Sequence, residues 1–85
     1  MAQSTKQQPS PPHRAGEKIR AFRIARDLSA EELGRRIDPP RVIPAQSVYS
    51  WETRGKVARA PMQRRLHRLG ICDPADWLEP ATEDA

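Results

Sequence analysis

Between Ser29 and Glu52 the chain spells two short helices around a stretch that cannot be helix. Asp38-Pro-Pro-Arg-Val-Ile-Pro44 holds three prolines in seven residues. Each removes a backbone donor and pushes the residue before it towards extended geometry. Ahead of this break, Ser29-Ala-Glu-Glu32 has the pattern of a capping box. The serine oxygen takes the amide hydrogen of Glu32, and the glutamate reaches back to the serine amide. The spacing predicts a helix over 30–37 with Leu33 and Ile37 buried four apart, and with Gly34 where another element can lie close. After the break, Pro44 suits the first turn of a helix over 44–53, with Val48 and Trp51 three apart facing inward. Gly55 supplies the left-handed conformation common just past a helix end.

The flanks follow the same logic. A first helix over 13–26 carries Ala15, Ile19, Phe22 and Ala25 on its inner stripe and Lys18, Arg20 and Arg26 outside, and Leu28 packs inward behind it. Pro61 opens a fourth helix over 61–69 that buries Met62, Leu66 and Leu69 and exposes Arg64, Arg65 and Arg68. Asp73 and Pro74 read as the cap and first position of a last short helix over 74–78. The expectation is an all-α, compact five-helix domain over 13–78. Residues 1–12, with three prolines and no apolar period, read as a disordered arm, and 79–85 as an acidic tail. Lys6 is the single charge of that arm, and a passive tail is the simpler reading of it.

Charge is unevenly placed. All 15 basic residues and six of the 11 acidic ones precede Asp73, while the remaining acids lie from Asp73 onward. A body this basic is either a solvated surface or a match for a polyanion such as nucleic acid. The single cysteine, Cys72, excludes an internal disulfide and a cysteine-rich zinc site, and its apolar neighbours suggest a small buried hydrophobe. No apolar run approaches the ~18 residues of a membrane span. The polar N-terminus lacks a leader pattern, so a cytoplasmic protein, bacterial or phage-encoded, is expected. His13, His67 and the scattered carboxylates show no paired spacing for acid–base or metal work. No enzyme activity, metal or cofactor is expected, and His67 reads as a helix-surface residue.

Ile19-Arg20 with Arg23, Leu28-Ser29 with Leu33-Gly34, and then Val48, Trp51-Glu52 and Gly55-Lys56 form an ordered set. That set resembles the phage Cro/repressor (XRE-type) family of helix-turn-helix DNA-binding domains, over roughly residues 14–78. Ile19 to Gly34 matches without a gap. Two departures stand out: Asp38 occupies the family's glycine position with about four extra residues after it, and one more residue precedes Gly55.

The resemblance implies a repressor-like fold whose third helix reads DNA. It places base-reading positions at Ala45, Gln46, Ser47, Tyr49 and Ser50. Gln46 is the foremost of these, because a side-chain amide offers a donor and an acceptor together to the N6/N7 edge of adenine. Tyr49 and Ser50 are open between base edges, phosphates and plain surface. Phosphate contacts are implied at Arg54, Lys56 and Arg59, and at the amides opening the second helix from Ala30. Arg41, in the enlarged turn, is open between phosphate and base edge. Arg23 and Glu52 are implied to pair and orient the third helix.

Family dimers often meet through the last helix and the loop before it, which here brings in Ile71, Trp77 and Leu78. Leu78 is expected to cover the monomer's core and Trp77 to face a partner. The function implied is a transcriptional regulator binding double-stranded DNA as a homodimer, a repressor that occludes a palindromic operator. An antitoxin or adaptor, binding a partner protein and autoregulating its operon through the same helices, is the alternative.

Overall fold

In the computed structural model, which describes residues 13–81, each helix starts or stops on an identifiable local device. Helix α1 (Arg14–Ala25) begins one residue later than the apolar spacing suggests, because His13 is its N-cap and accepts the Gly16 amide on Nδ1 at 2.9 Å. It ends in a Schellman turn. Asp27 takes the left-handed conformation, with φ 56°, while the Leu28 amide bonds the Arg23 carbonyl at 2.9 Å. That reversal aims Leu28 into the core. Ala25, expected on the inner stripe, is exposed. The helical step carries it about 80° away from the row on which Ala15 lies.

Helix α2 (Ala30–Ile37) opens on the expected box: Glu32 N–H donates to Ser29 Oγ at 3.0 Å and Ser29 N–H to Glu32 Oε1 at 2.8 Å. Its inner face is Ala30, Leu33, Gly34 and Ile37, all buried. Burying a leucine or isoleucine side chain stabilises by about 1.5–3 kcal/mol, more than a cap contributes at about 1 kcal/mol. Packing therefore decides the existence of this two-turn helix, and the cap decides its boundary.

The proline-rich stretch folds back on itself. Arg41 N–H donates to the Asp38 carbonyl at 2.8 Å around a cis Pro39–Pro40 bond, and Ile43 N–H then bonds the Gly34 carbonyl at 3.0 Å. A side chain at Gly34 would collide with the Ile43 carbonyl oxygen, so this approach needs glycine. Helix α3 (Ala45–Thr53) starts after Pro44, which serves as N-cap instead of entering the first turn. Its carbonyl accepts the amides of Ser47 and Val48.

Helix α4 (Ala60–Arg68), with Pro61 in its first turn, also ends in a Schellman turn. Gly70 has φ 78° and the Ile71 amide returns to the Leu66 carbonyl at 3.0 Å. Ile71 thereby takes the core place expected of Leu69, which caps the helix and stays exposed. The last element, Pro74–Leu78, is a 3-10 helix and not a fifth α-helix. Its tight turn points successive residues in different directions. Trp77 goes in, edge-on to Trp51 and His13, and is 4% exposed; Leu78 goes out and is 86% exposed. The expected roles of these two residues are exchanged.

The chain is all-α over its described residues, with α1 packed on α3 and on the 3-10 turn, and α2 packed on α3. Beyond Leu78, Glu79 and Pro80 pair with the start of α1, so the packed body runs past the boundary expected for the tail. Residues 1–12 and the end of that tail lie outside the described residues. No described helix is long and apolar enough to cross a membrane.

Lys18 ties α1 to the 3-10 turn, its Nζ lying 2.9 Å from Asp76 Oδ2. Burial pushes the Asp76 carboxyl up, but the Asp73 amide at 2.7 Å and the Lys18 ammonium outweigh it and hold the group below its ordinary value. Because the folded value is the lower one, the stabilisation is complete above about pH 4 and is lost as pH falls through the folded value. Urea melts of an Asp76→Asn variant should show lower stability at pH 7 and a flatter decline into acid. An unchanged acid limb would remove Asp76 from this role.

Candidate nucleic-acid interface

Helix α3 has a buried side and an open side. Val48, Trp51 and Glu52 are buried, and Gln46 and Tyr49 are exposed. Ala45 packs against the core. The Ser50 hydroxyl donates to the Gln46 carbonyl at 2.9 Å, and Thr53 makes the same backward bond to Tyr49 at 2.8 Å. Of the five positions implied to read bases, Gln46 and Tyr49 thus present the freest side chains, while Ser47 and Ser50 are half-buried.

Beside this face runs an open groove of about 820 Å³ between α3, the Asp38–Ile43 turn, the Arg54–Arg59 loop and α4. It gathers Gln46, Ser47 and Ser50 with the cations Arg41, Arg54, Lys56, Arg59 and Arg65. Asp38 is the single carboxylate of the lining, and Arg65 neutralises it at 3.2 Å. Arg65 also donates from Nε to the Ile37 carbonyl at 2.9 Å, placing a cation at the negative end of α2. It was expected to face solvent, but two acceptors within reach draw it in. The other four cations are exposed, and none forms an ion pair among the described residues. Tyr49, Ala45 and Ala30 are not part of the groove lining.

The far end of α3 is held by charge. Arg23 donates to Glu52 through two parallel bonds, Nε to Oε2 at 3.0 Å and Nη2 to Oε1 at 2.9 Å, and through Nη1 to the Leu28 carbonyl at 3.2 Å. The Glu52 hydrogen bond raises the Arg23 guanidinium above its ordinary value, against the opposing effect of burial. A bidentate pair of this kind fixes direction as well as distance. It therefore sets the roll of α3 about its own axis, which decides the side chains that face outward.

Two contributors were not evident from the residues. Arg65 looks like any outward arginine on α4, and only the fold brings it to the end of α2. His13 is likewise unmarked in the sequence, yet its Nε2 lies 3.1 Å from the Lys56 carbonyl, 43 residues away. Ile71 and Trp77, implied at a dimer contact, are buried inside the chain, so Leu78 alone of those three stays on the surface. Cys72 is buried too, and desolvation pushes its thiol up to about 12, which suits a packing role. His67 is exposed, 3.4 Å from Asp73. Among the described residues no group of three or more metal-ligating side chains converges.

Comparison of the chain with protein-family models, curated proteins and solved structures finds no match in any of the three.

Arg23→Ala should destabilise the fold by about 3–5 kcal/mol, because it strands a carboxylate that is 1% exposed. Urea unfolding at neutral pH measures this. A loss under about 1 kcal/mol would make the pair an ordinary surface bridge.

Proposed function

We propose that this domain binds double-stranded DNA at specific sequences and regulates transcription, with α2 and α3 acting as a repressor-like helix-turn-helix of the XRE type. Two copies related by a two-fold axis occupy a palindromic operator, and occupancy excludes polymerase. The observation that carries this reading is the convergence on one face of an exposed amide at Gln46 and four cations unpaired among the described residues, beside a helix fixed by the Arg23–Glu52 pair. Free cations around a groove supply affinity by neutralising phosphates, whatever the sequence. An amide presented from an oriented helix supplies discrimination, since it matches adenine's major-groove edge.

Selection of binding sites from random duplex DNA at stated salt tests the reading. Enriched half-sites with centres about 10 base pairs apart, and two chains per selected duplex, are expected. No enrichment would defeat it. At the selected site Gln46→Ala should cost about 1–3 kcal/mol and leave random duplex binding nearly unchanged. Lys56→Ala should weaken all duplexes and reduce the salt slope by about one contact. Equal losses in both variants on both kinds of DNA would refute this division of labour.

Arg41 extends the footprint into the enlarged turn. The turn is closed by its own Asp38–Arg41 hydrogen bond, so Arg41 is presented on a short hairpin and not on a loose loop. Arg41→Ala should weaken operator binding by about 1 kcal/mol or more, with an unchanged melting temperature for the free protein. Unaltered affinity at low salt would show the hairpin to be a spacer.

A further inference from the structure

We propose that His13 is a positioning residue for Lys56: it pins the backbone of that lysine, and so sets where the ammonium meets a phosphate. The inference rests on the DNA-binding reading above. An N-cap needs one acceptor, which a serine, threonine or asparagine supplies. His13 uses Nδ1 for that purpose, taking the Gly16 amide hydrogen at 2.9 Å. A backbone amide can only donate, so Nδ1 carries no proton and the ring's hydrogen sits on Nε2. That hydrogen is donated to the Lys56 carbonyl at 3.1 Å.

The ring is held for this task. His13 is 7% exposed, with Trp77 edge-on at a centroid distance of 5.2 Å. Lys56 is gripped from its other side as well, since its amide donates to the Ser50 carbonyl at 3.2 Å, just past Gly55 with φ 76°. Both backbone groups of Lys56 are therefore fixed, one to the end of α3 and one to the start of α1. Its side chain is exposed and lines the groove. The second ring nitrogen adds nothing to the helix cap, and its partner is the backbone of a groove-lining cation.

Two substitutions separate cap from tether. Asparagine places an amide near Nδ1 and cannot reach Lys56; glutamine places one near Nε2 and leaves the cap unmade. Binding to a random-sequence duplex over a range of salt is the main readout, in wild-type and Lys56→Ala backgrounds. His13→Asn should lower the salt slope by up to about 1, as Lys56→Ala does, and should change nothing further when combined with it. His13→Gln should lower the melting temperature but keep the wild-type slope. A slope that follows melting temperature in both variants, or an Asn effect that persists in the Lys56→Ala background, would overturn the proposal. If the Asn variant does not fold, the Gln variant decides alone: a retained slope supports the tether and a lost slope overturns it. Wild-type protein without salt-dependent duplex binding would defeat the DNA reading itself. The tether would then be judged in free protein by hydrogen exchange of the Lys56 amide relative to the Val48 and Leu33 amides, a ratio that should rise in the Asn variant and not in the Gln variant.

Discussion

Glu52 is a carboxylate taken almost wholly out of water, and the Arg23 guanidinium makes that position tolerable. Helix α3 has nine residues, too few to persist alone in water. Its hold on the rest comes from Val48 and Trp51 in the core, the close approach of Gly16 to the Trp51 carbonyl, and the Arg23–Glu52 pair. The apolar contacts fix depth but resist rotation weakly. A two-bond ion pair between planar groups resists rotation well. Replacing such a pair with matched hydrophobes is often neutral or stabilising, so orientation is the stronger account of its presence.

The arginines divide by what surrounds them. Arg23 and Arg65 are partly buried and use their donors on backbone carbonyls, of Leu28 and of Ile37 at the end of α2, as well as on carboxylates. Arg41, Arg54 and Arg59 form no such ion pair among the described residues and, with Lys56, line the groove. The net positive balance of the body therefore understates its local field. Cations committed to the fold neutralise nearby carboxylates, while Arg41, Arg54, Lys56 and Arg59 line one groove, where their potentials add.

Much of the fold was legible because it rests on local rules. The Ser29–Glu32 box, the proline break, the glycine turn at Gly55 and the inward positions Ile19, Leu33, Ile37, Val48 and Leu66 are written in neighbouring residues. What was not legible depends on competition between neighbours for one place. Ile71 displaced Leu69 because a left-handed Gly70 turns the chain back under α4. Trp77 displaced Leu78 because a 3-10 turn cannot bury both, and two aromatic partners favour the ring. In the candidate site, Gln46, Arg54, Lys56 and Arg59 could be named from a resemblance, and Arg41 from its place in the proline-rich turn. The tether from His13 to Lys56 and the Arg65 clamp join distant segments, and no local pattern encodes them.

The enlarged turn raises the question of what sets the angle between α2 and α3 when their connector is long. Connector length would govern that angle only if the connector were loose. Here it is fastened at both ends: Asp38 to Arg65, and Ile43 to the Gly34 carbonyl at a site where no side chain fits. The residues between these points, Pro39 to Val42, leave the body as a self-closed hairpin and return to the same place. The α2–α3 geometry thus follows from Gly34 and the buried faces of the two helices, and extra residues can be accommodated without moving either. Extra length at such a point changes what the surface presents, here Arg41 and the exposed Val42, while α3 keeps its seat.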